Sequence, residues 1–215
     1  MTHSLHRQGS RESLQRDFIM LSCSAKGYNN TYYSEPAKKM MKIILDNNPV
    51  NWGDMKTGNF LYIDPQEVLD KISNNTIVEA CFDNKENVLN ALRDLIKADL
   101  GISVVISGLD DVVDEIAREA GLPGVHTREW SLGVHGNTKK LPDRKILEFT
   151  TMCGHGMVSR DLVPKLIADI KKGRRTVREA SVEMGKCCSC GNFNITRSCE
   201  LIEEYLPLWV IDDPA

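Results

Sequence analysis

Residues 76–106 read TIVEACFDNKENVLNALRDLIKADLGISVVI, and they place a strand-like, a helix-like and a second strand-like segment in succession. The first segment, residues 76–82, is a short apolar run, and the last, residues 102–106, is rich in β-branched side chains, as buried strands commonly are. The segment between them carries apolar side chains at helical spacing, namely Val88, Leu89, Leu92, Leu95 and Ile96. The stretch therefore predicts a strand–helix–strand unit.

The same alternation continues on both sides of this unit. Residues 18–23 form a strand candidate, and a helix is predicted to start at Ser34. Asp110 and Asp111 start another helix, which Gly121 can end. Since strands joined through helices commonly lie side by side and parallel, we predict an α/β fold with a mainly parallel sheet and flanking helices.

The alternation is interrupted between residues 123 and 142. Residues 125–134 read as one strand of a hairpin, with Gly136 and Asn137 in a turn, so we predict one hairpin insertion. Residues 145–152 are predicted to form a strand that ends at Cys153, and a helix should follow it. We predict a single domain over residues 1–215, with residues 174–215 as a candidate C-terminal metal-binding appendage of helical, cysteine-rich character.

Charge and composition narrow the class of partner. The net charge of −3 comes from 27 basic and 30 acidic side chains spread along the chain, which gives no basic face for nucleic acid. No apolar run reaches the length of a membrane span, and the first residues lack the apolar core of a secretion signal. We therefore expect a cytoplasmic protein with neither a nucleic-acid partner nor a membrane partner.

Seven cysteines are many for a cytoplasmic chain, and an odd number argues against a complete disulfide framework. Three of them, Cys187, Cys188 and Cys190, fall within four residues. Cys187 and Cys190 have CxxC spacing, and Cys188 and Cys190 have CxC spacing. A capping box of Thr176 and Glu179 predicts a short helix ending near Gly185, so all three cysteines should lie in the loop that follows.

A fourth cysteine, Cys153, precedes Gly154-His155-Gly156. The two glycines allow a sharp turn that leaves a thiol accessible, and a following helix N-terminus would favour the thiolate. We predict Cys153, Cys187, Cys188 and Cys190 as metal ligands and His155 as a catalytic residue. The glycines Gly154, Gly156 and Gly191 are predicted to contact the cofactor.

One distant cysteine and one tight group are typical of iron–sulfur ligation, whereas structural zinc usually takes two tight pairs. We therefore expect an oxygen-sensitive [4Fe–4S] cluster held by Cys153, Cys188 and Cys190. Three protein ligands leave one iron open, and it can act as a Lewis acid on a small polar or anionic substrate, in lyase-like or sulfur-handling chemistry.

Two alternatives stay open at this point. A fourth ligand from Cys187 or Cys199 would close the cluster and indicate an electron-transfer or redox-sensing protein. Zinc bound by Cys153, His155, Cys187 and Cys190 would instead indicate a zinc-stabilised interaction module without catalysis. The oligomeric state does not follow from the sequence.

Overall fold

The computed structural model describes residues 6–210. In this part of the chain the α-helices are α1 Arg11–Leu14, α2 Ser34–Asp46, α3 Pro65–Asp70, α4 Lys85–Ala98, α5 Asp110–Glu119, α6 Arg144–Thr150, α7 Leu162–Lys171, α8 Val177–Lys186 and α9 Ile195–Tyr205. The strands are β1 Phe18–Cys23, β2 Asn51–Asp54, β3 Gly58–Asn59, β4 Ile77–Phe82 and β5 Val105–Ser107. Within residues 6–210, no helix has the length and apolar character needed to cross a bilayer.

The strands form one sheet in the order β3-β2-β4-β1-β5, and every neighbouring pair is antiparallel. The predicted mainly parallel sheet is therefore wrong. β4 and β5, which α4 joins, do run in the same direction, because both are antiparallel to β1. However, β1 lies between them, and β4 lies in the same way between β1 and β2. The helix α2 joins β1 to β2, and α4 joins β4 to β5, so each connects two strands that have a third strand between them. This is a split β–α–β arrangement.

The two faces of the sheet are covered by different parts of the chain. Successive side chains of a strand point to opposite faces. Phe18 and Met20 of β1, with Val78 and Ala80 of β4, share a core with the helices on one face. The helical residues of this core include Met40, Met41 and Ile44 of α2 and Val88, Leu89, Leu92 and Leu95 of α4. The apolar stripe predicted for α4 is therefore confirmed as a core face at these four positions.

The opposite face of the sheet is more polar and meets the segment between α8 and α9. Glu79 of β4 accepts a hydrogen bond from the side chain of Asn192. Asn51 of β2 donates through Nδ2 to the carbonyl oxygen of Phe193 at 3.0 Å. The cysteine-bearing loop after α8 is therefore fastened to the sheet by buried amides.

Helices α6–α9 build a second hydrophobic core, separate from the one under α2 and α4. Its fully buried members include Phe149, Val163, Ile167, Ala180, Phe193 and Ile202. This core starts at α6, well before residue 174, and it contains Cys153, Cys188 and Cys190. The candidate ligands thus lie inside the helical core that backs onto the sheet.

Two elements predicted around residues 123–152 are wrong. In the described chain no strand lies between β5 and the C-terminus, so the hairpin predicted for residues 125–134 is absent and a 3-10 helix, Thr138–Lys140, follows Gly136 and Asn137. Residues 145–150 lie in α6 rather than in a strand, and residues 151 and 152 form the turn that follows it. The carboxylate of Asp143 accepts a hydrogen bond from the amide of Lys145 at 2.9 Å and caps this helix. Phe149 and Met152, three residues apart, then face the core.

Candidate functional site

Cys153 lies in a turn after the C-terminus of α6, so it does not follow a strand as predicted. The next helix, α7, begins only at Leu162, and the expected helix N-terminus is therefore not adjacent to the thiol. Cys153 is 1% exposed. Its environment is set by the cysteines of the second segment.

Cys188 and Cys190 lie in the loop after α8, and both are fully buried. Their Sγ atoms are 3.7 Å apart. All seven cysteines of the chain are free thiols, since a disulfide would bring the sulfurs to about 2.05 Å. Cys188 Sγ also lies 4.0 Å from the carbonyl oxygen of Cys153. The side chains of Cys153 and Cys188 are also hydrogen-bonded to each other. Two segments more than thirty residues apart in sequence therefore bring three thiols together.

The hydrogen bond between Cys153 and Cys188 shifts the pKa values of these two thiols in opposite directions. A hydrogen bond with the Cys188 side chain lowers the pKa of Cys153 to about 6, against the opposing effect of burial. The same hydrogen bond, with another to Cys190 and with burial, raises the pKa of Cys188 well above its ordinary range. The geometry thus favours a Cys153 thiolate stabilised by a Cys188 thiol.

His155 stands at the exposed edge of the thiol group, with Nδ1 3.7 Å from Cys190 Sγ. Gly154 and Gly156 on either side of it both have φ of 69°. Side chains rarely adopt this left-handed conformation, so the two glycines allow the loop to turn sharply around His155. The predicted residues Cys153, Cys188, Cys190 and His155 are therefore neighbours in the structure.

The remaining cysteines have other surroundings in the structure. Cys187 is the C-cap of α8, is only partly buried, and donates to the carbonyl oxygen of Glu183 at 3.6 Å. Cys199 of α9 lies 3.3 Å from Ser181 Oγ on α8. Cys81 is buried on β4, with Sγ 3.9 Å from the Asp17 carboxylate. Cys23 is the last residue of β1.

Gly191 has a structural explanation that needs no cofactor. Its φ is 81°, and a Cβ atom there would lie 2.6 Å from the amide nitrogen of Gly53 on β2. A Cβ on Gly53 would in turn lie 3.0 Å from the carbonyl oxygen of Ser189. The two glycines let the cysteine loop pack directly on the backbone of β2.

The residues that hold this loop were not identified from the sequence. Asn59 of β3 donates through Nδ2 to the carbonyl oxygens of Gly185 at 3.1 Å and Cys188 at 2.7 Å. Arg7 donates to the carbonyl oxygens of Met152, at 2.9 Å, and Asn192. A polar residue in a strand or near the chain start carries no local signal of such distant partners, so periodicity and spacing could not have found them.

The thiols contact one another directly. Among residues 6–210, no group of three or more His, Cys, Asp or Glu side chains is arranged to hold a metal ion. Metal binding would therefore require the cysteine side chains to turn toward a shared centre. Comparison of the chain with protein-family models, with curated proteins and with solved structures found no match.

Proposed function

We propose that this chain is an iron–sulfur protein whose [4Fe–4S] cluster is held by Cys153, Cys188 and Cys190. The observation that carries the proposal is the convergence of these three buried thiols from two distant segments. Each segment is fixed by hydrogen bonds from elsewhere in the fold, so the convergence is a property of the packed structure.

The chemistry of the thiol group supports a metal rather than plain packing. One of the three sulfurs already favours the thiolate, which is the form that binds metals. An all-sulfur ligand set with one distant cysteine suits an iron–sulfur cluster. Binding would release the protons of the other thiols to solvent and remove the cost of burying them next to one another.

Three cysteine ligands would leave one iron without a protein sulfur. Cys187 and Cys199 are the residues that could close the cluster, and their sulfurs contact groups along α8. His155 is exposed beside the thiols, so solvent and small molecules can reach this edge. We propose that the open iron polarises an oxygen or sulfur atom of a small polar or anionic substrate, in a lyase-like or sulfur-handling reaction. We propose a cytoplasmic enzyme, and the balanced charge supports the absence of a nucleic-acid partner.

Zinc is the second candidate, and two distances favour it. Four ligands in a tetrahedron with Zn–S bonds of about 2.3 Å stand about 3.8 Å from one another. The Sγ atoms of Cys188 and Cys190 are 3.7 Å apart, and His155 Nδ1 is 3.7 Å from Cys190 Sγ. A Cys₃His site with Cys188, in place of the Cys187 considered from the sequence, would stabilise the helical core without catalysis.

Metal analysis of protein purified without oxygen decides between the two. The iron–sulfur proposal expects about four iron and four sulfide per chain and a visible absorbance that bleaches in air. Colourless protein with about one zinc per chain would select the zinc module. Protein that binds neither metal stoichiometrically, even after reconstitution, would reject a metal centre here.

A further inference from the structure

A cavity of about 270 Å³ opens beside the loop that carries Cys153 and His155. The C-terminal half of α6 forms one wall, and the loop after α6 forms another. The polar or glycine residues that line it are Thr150, Thr151, Gly154, Gly156, Arg160 and His6. Because Gly154 and Gly156 flank His155, the cavity shares this wall with the candidate metal centre.

The size of the cavity limits its ligand. The volume of the cavity is about 270 Å³. This is slightly below the usual range for drug-sized ligands, so the cavity fits a molecule of a few carbon atoms. Leu147 and Val158 supply an apolar side for a short carbon chain.

The charge of the lining selects the class of ligand. Among the described residues that line the cavity, Arg160 carries the guanidinium and no side chain is a carboxylate. Asp161 lies 3.6 Å from Arg160 Nε, and the side chains of Arg160 and Asp161 are 64% and 86% exposed. Asp161 does not line the cavity. A guanidinium presents a planar set of donors that matches the two oxygens of a carboxylate.

The hydroxyl of Thr151 already makes hydrogen bonds within the protein, so we assign it a structural role in the wall of the cavity. It donates to the carbonyl oxygen of Leu147 at 2.6 Å and accepts from the amide of Gln8 at 3.0 Å. This second contact fixes the segment next to His6, whose ring lies 3.4 Å from Ser131 Oγ. His6 thus forms one side of the cavity.

We infer that this cavity binds a small organic acid, with its carboxylate on Arg160 and its carbon chain along Leu147 and Val158. The inference rests on the proposed function, because it names the substrate class of the same site. A ligand held there would lie against the backbone of Gly154, the residue after Cys153.

Succinate is a suitable probe, and its neutral diamide, succinamide, has the same shape without the charge. Calorimetric titration of the anaerobic protein should show saturable succinate binding and no succinamide binding. Arg160→Gln should weaken succinate binding by about tenfold or more, since a hydrogen bond to a charged group is lost. Arg178→Gln, at an exposed arginine on α8, is the matched control and should leave the affinity unchanged.

Equal binding of succinate to wild type and Arg160→Gln would overturn the inference, as would equal binding of succinamide. Binding of inorganic phosphate without succinate would also overturn it, because the site would then take only an inorganic anion. Iron analysis on the same preparation keeps the two proposals apart. Succinate binding by protein without iron would support the cavity and reject the cluster, whereas iron without succinate binding would reject the cavity alone.

Discussion

Arg7 donates a hydrogen bond at 2.9 Å to the carbonyl oxygen of Met152, the residue directly before Cys153. The same guanidinium reaches the carbonyl oxygen of Asn192, two residues after Cys190, and forms an ion pair with Asp17. One buried side chain thus ties together the two segments that supply the candidate ligands. The relative position of these two segments therefore depends on Arg7, which is far from both of them in sequence.

Replacing Arg7 with methionine should destabilise the protein strongly. The side chains of Arg7 and Asp17 are 7% and 0% exposed, and among residues 6–210 Asp17 would keep Arg197, at 2.8 Å, as a charged partner. Removing one partner of a buried ion pair costs about 3–5 kcal/mol when the other charge is left unpaired. Because Arg197 still pairs with Asp17, we expect a loss of about 1–3 kcal/mol, the cost of a lost hydrogen bond to a charged group. Urea unfolding of the metal-free protein measures this change.

Arg11→Met is the control for this experiment. Arg11 also pairs with an aspartate, Asp111, but their side chains are 53% and 62% exposed. Such a surface pair contributes little to stability, because water screens the two charges. Similar losses in the two variants would show that Arg7 does not act as a buried tie.

The close approach of the cysteine loop to β2 predicts that Gly191→Ala is damaging. The new Cβ would meet the backbone of Gly53 at 2.6 Å, and φ of 81° is strained for alanine. Strain and overpacking together should cost more than about 2 kcal/mol in the free energy of unfolding. Gly133→Ala has a similar φ of 88° but no heavy atom within 4 Å in the described chain, so strain alone should cost about 1–2 kcal/mol. Equal costs in chemical denaturation would contradict the packing role of Gly191.

The local elements were largely predictable, whereas their arrangement was not. Ser34 is the first residue of α2, and Thr176 and Glu179 form the predicted capping box of α8. Periodicity and caps are local, so one segment of chain contains all of their information. The direction of neighbouring strands depends on pairs such as Leu21 with Glu79, which are far apart in sequence. Alternating strands and helices fit both a parallel sheet and the split arrangement that forms.

The sequence predicts which residue types form the candidate site, but it does not predict which of the four cysteines lie together. Clustering and spacing drew attention to Cys153, Cys188 and Cys190, but Cys187 had equal standing. The structure separates them because α8 runs one residue beyond Gly185, to Lys186. Cys187 is then held at the helix end by the carbonyl of Glu183, four residues back, while Cys188 turns inward. The contact at the helix end, which the sequence does not show, therefore distinguishes Cys187 from Cys188.

We expect the stability of the protein to change with pH as the carboxylate of Asp169 on α7 gains or loses its proton. A hydrogen bond from the Arg174 side chain, with Nε 2.9 Å from Oδ1, lowers the pKa of Asp169. A depressed folded-state pKa stabilises the protein above the unfolded value of about 3.9, and this contribution is lost as the pH falls through the folded value. Asp169→Asn should therefore lower Tm at pH 7 and make little difference near pH 2.

Thermal unfolding of Asp161→Asn provides the comparison. Asp161 also lies near an arginine, Arg160, at 3.6 Å, but its side chain is 86% exposed. Its replacement should change Tm little at neutral pH, because exposed pairs contribute little. A Tm deficit of Asp169→Asn that stays constant from pH 7 to about pH 2 would contradict the ionic origin of the effect.

The last prediction separates an open cluster from a closed one. If Cys153, Cys188 and Cys190 are the ligands, changing any of them to alanine should abolish iron binding. Cys187→Ala should retain about four iron per chain, because that thiol contacts the carbonyl of Glu183. Cys81→Ala is the control for loss of a buried thiol, since Cys81 lies on β4 against Asp17. Iron per chain and the unfolding midpoint should be measured together, so that misfolding is distinguished from loss of a ligand. Loss of iron in Cys187→Ala as well, with an unchanged unfolding midpoint, would mean a fourth cysteine ligand and would favour an electron carrier over an enzyme.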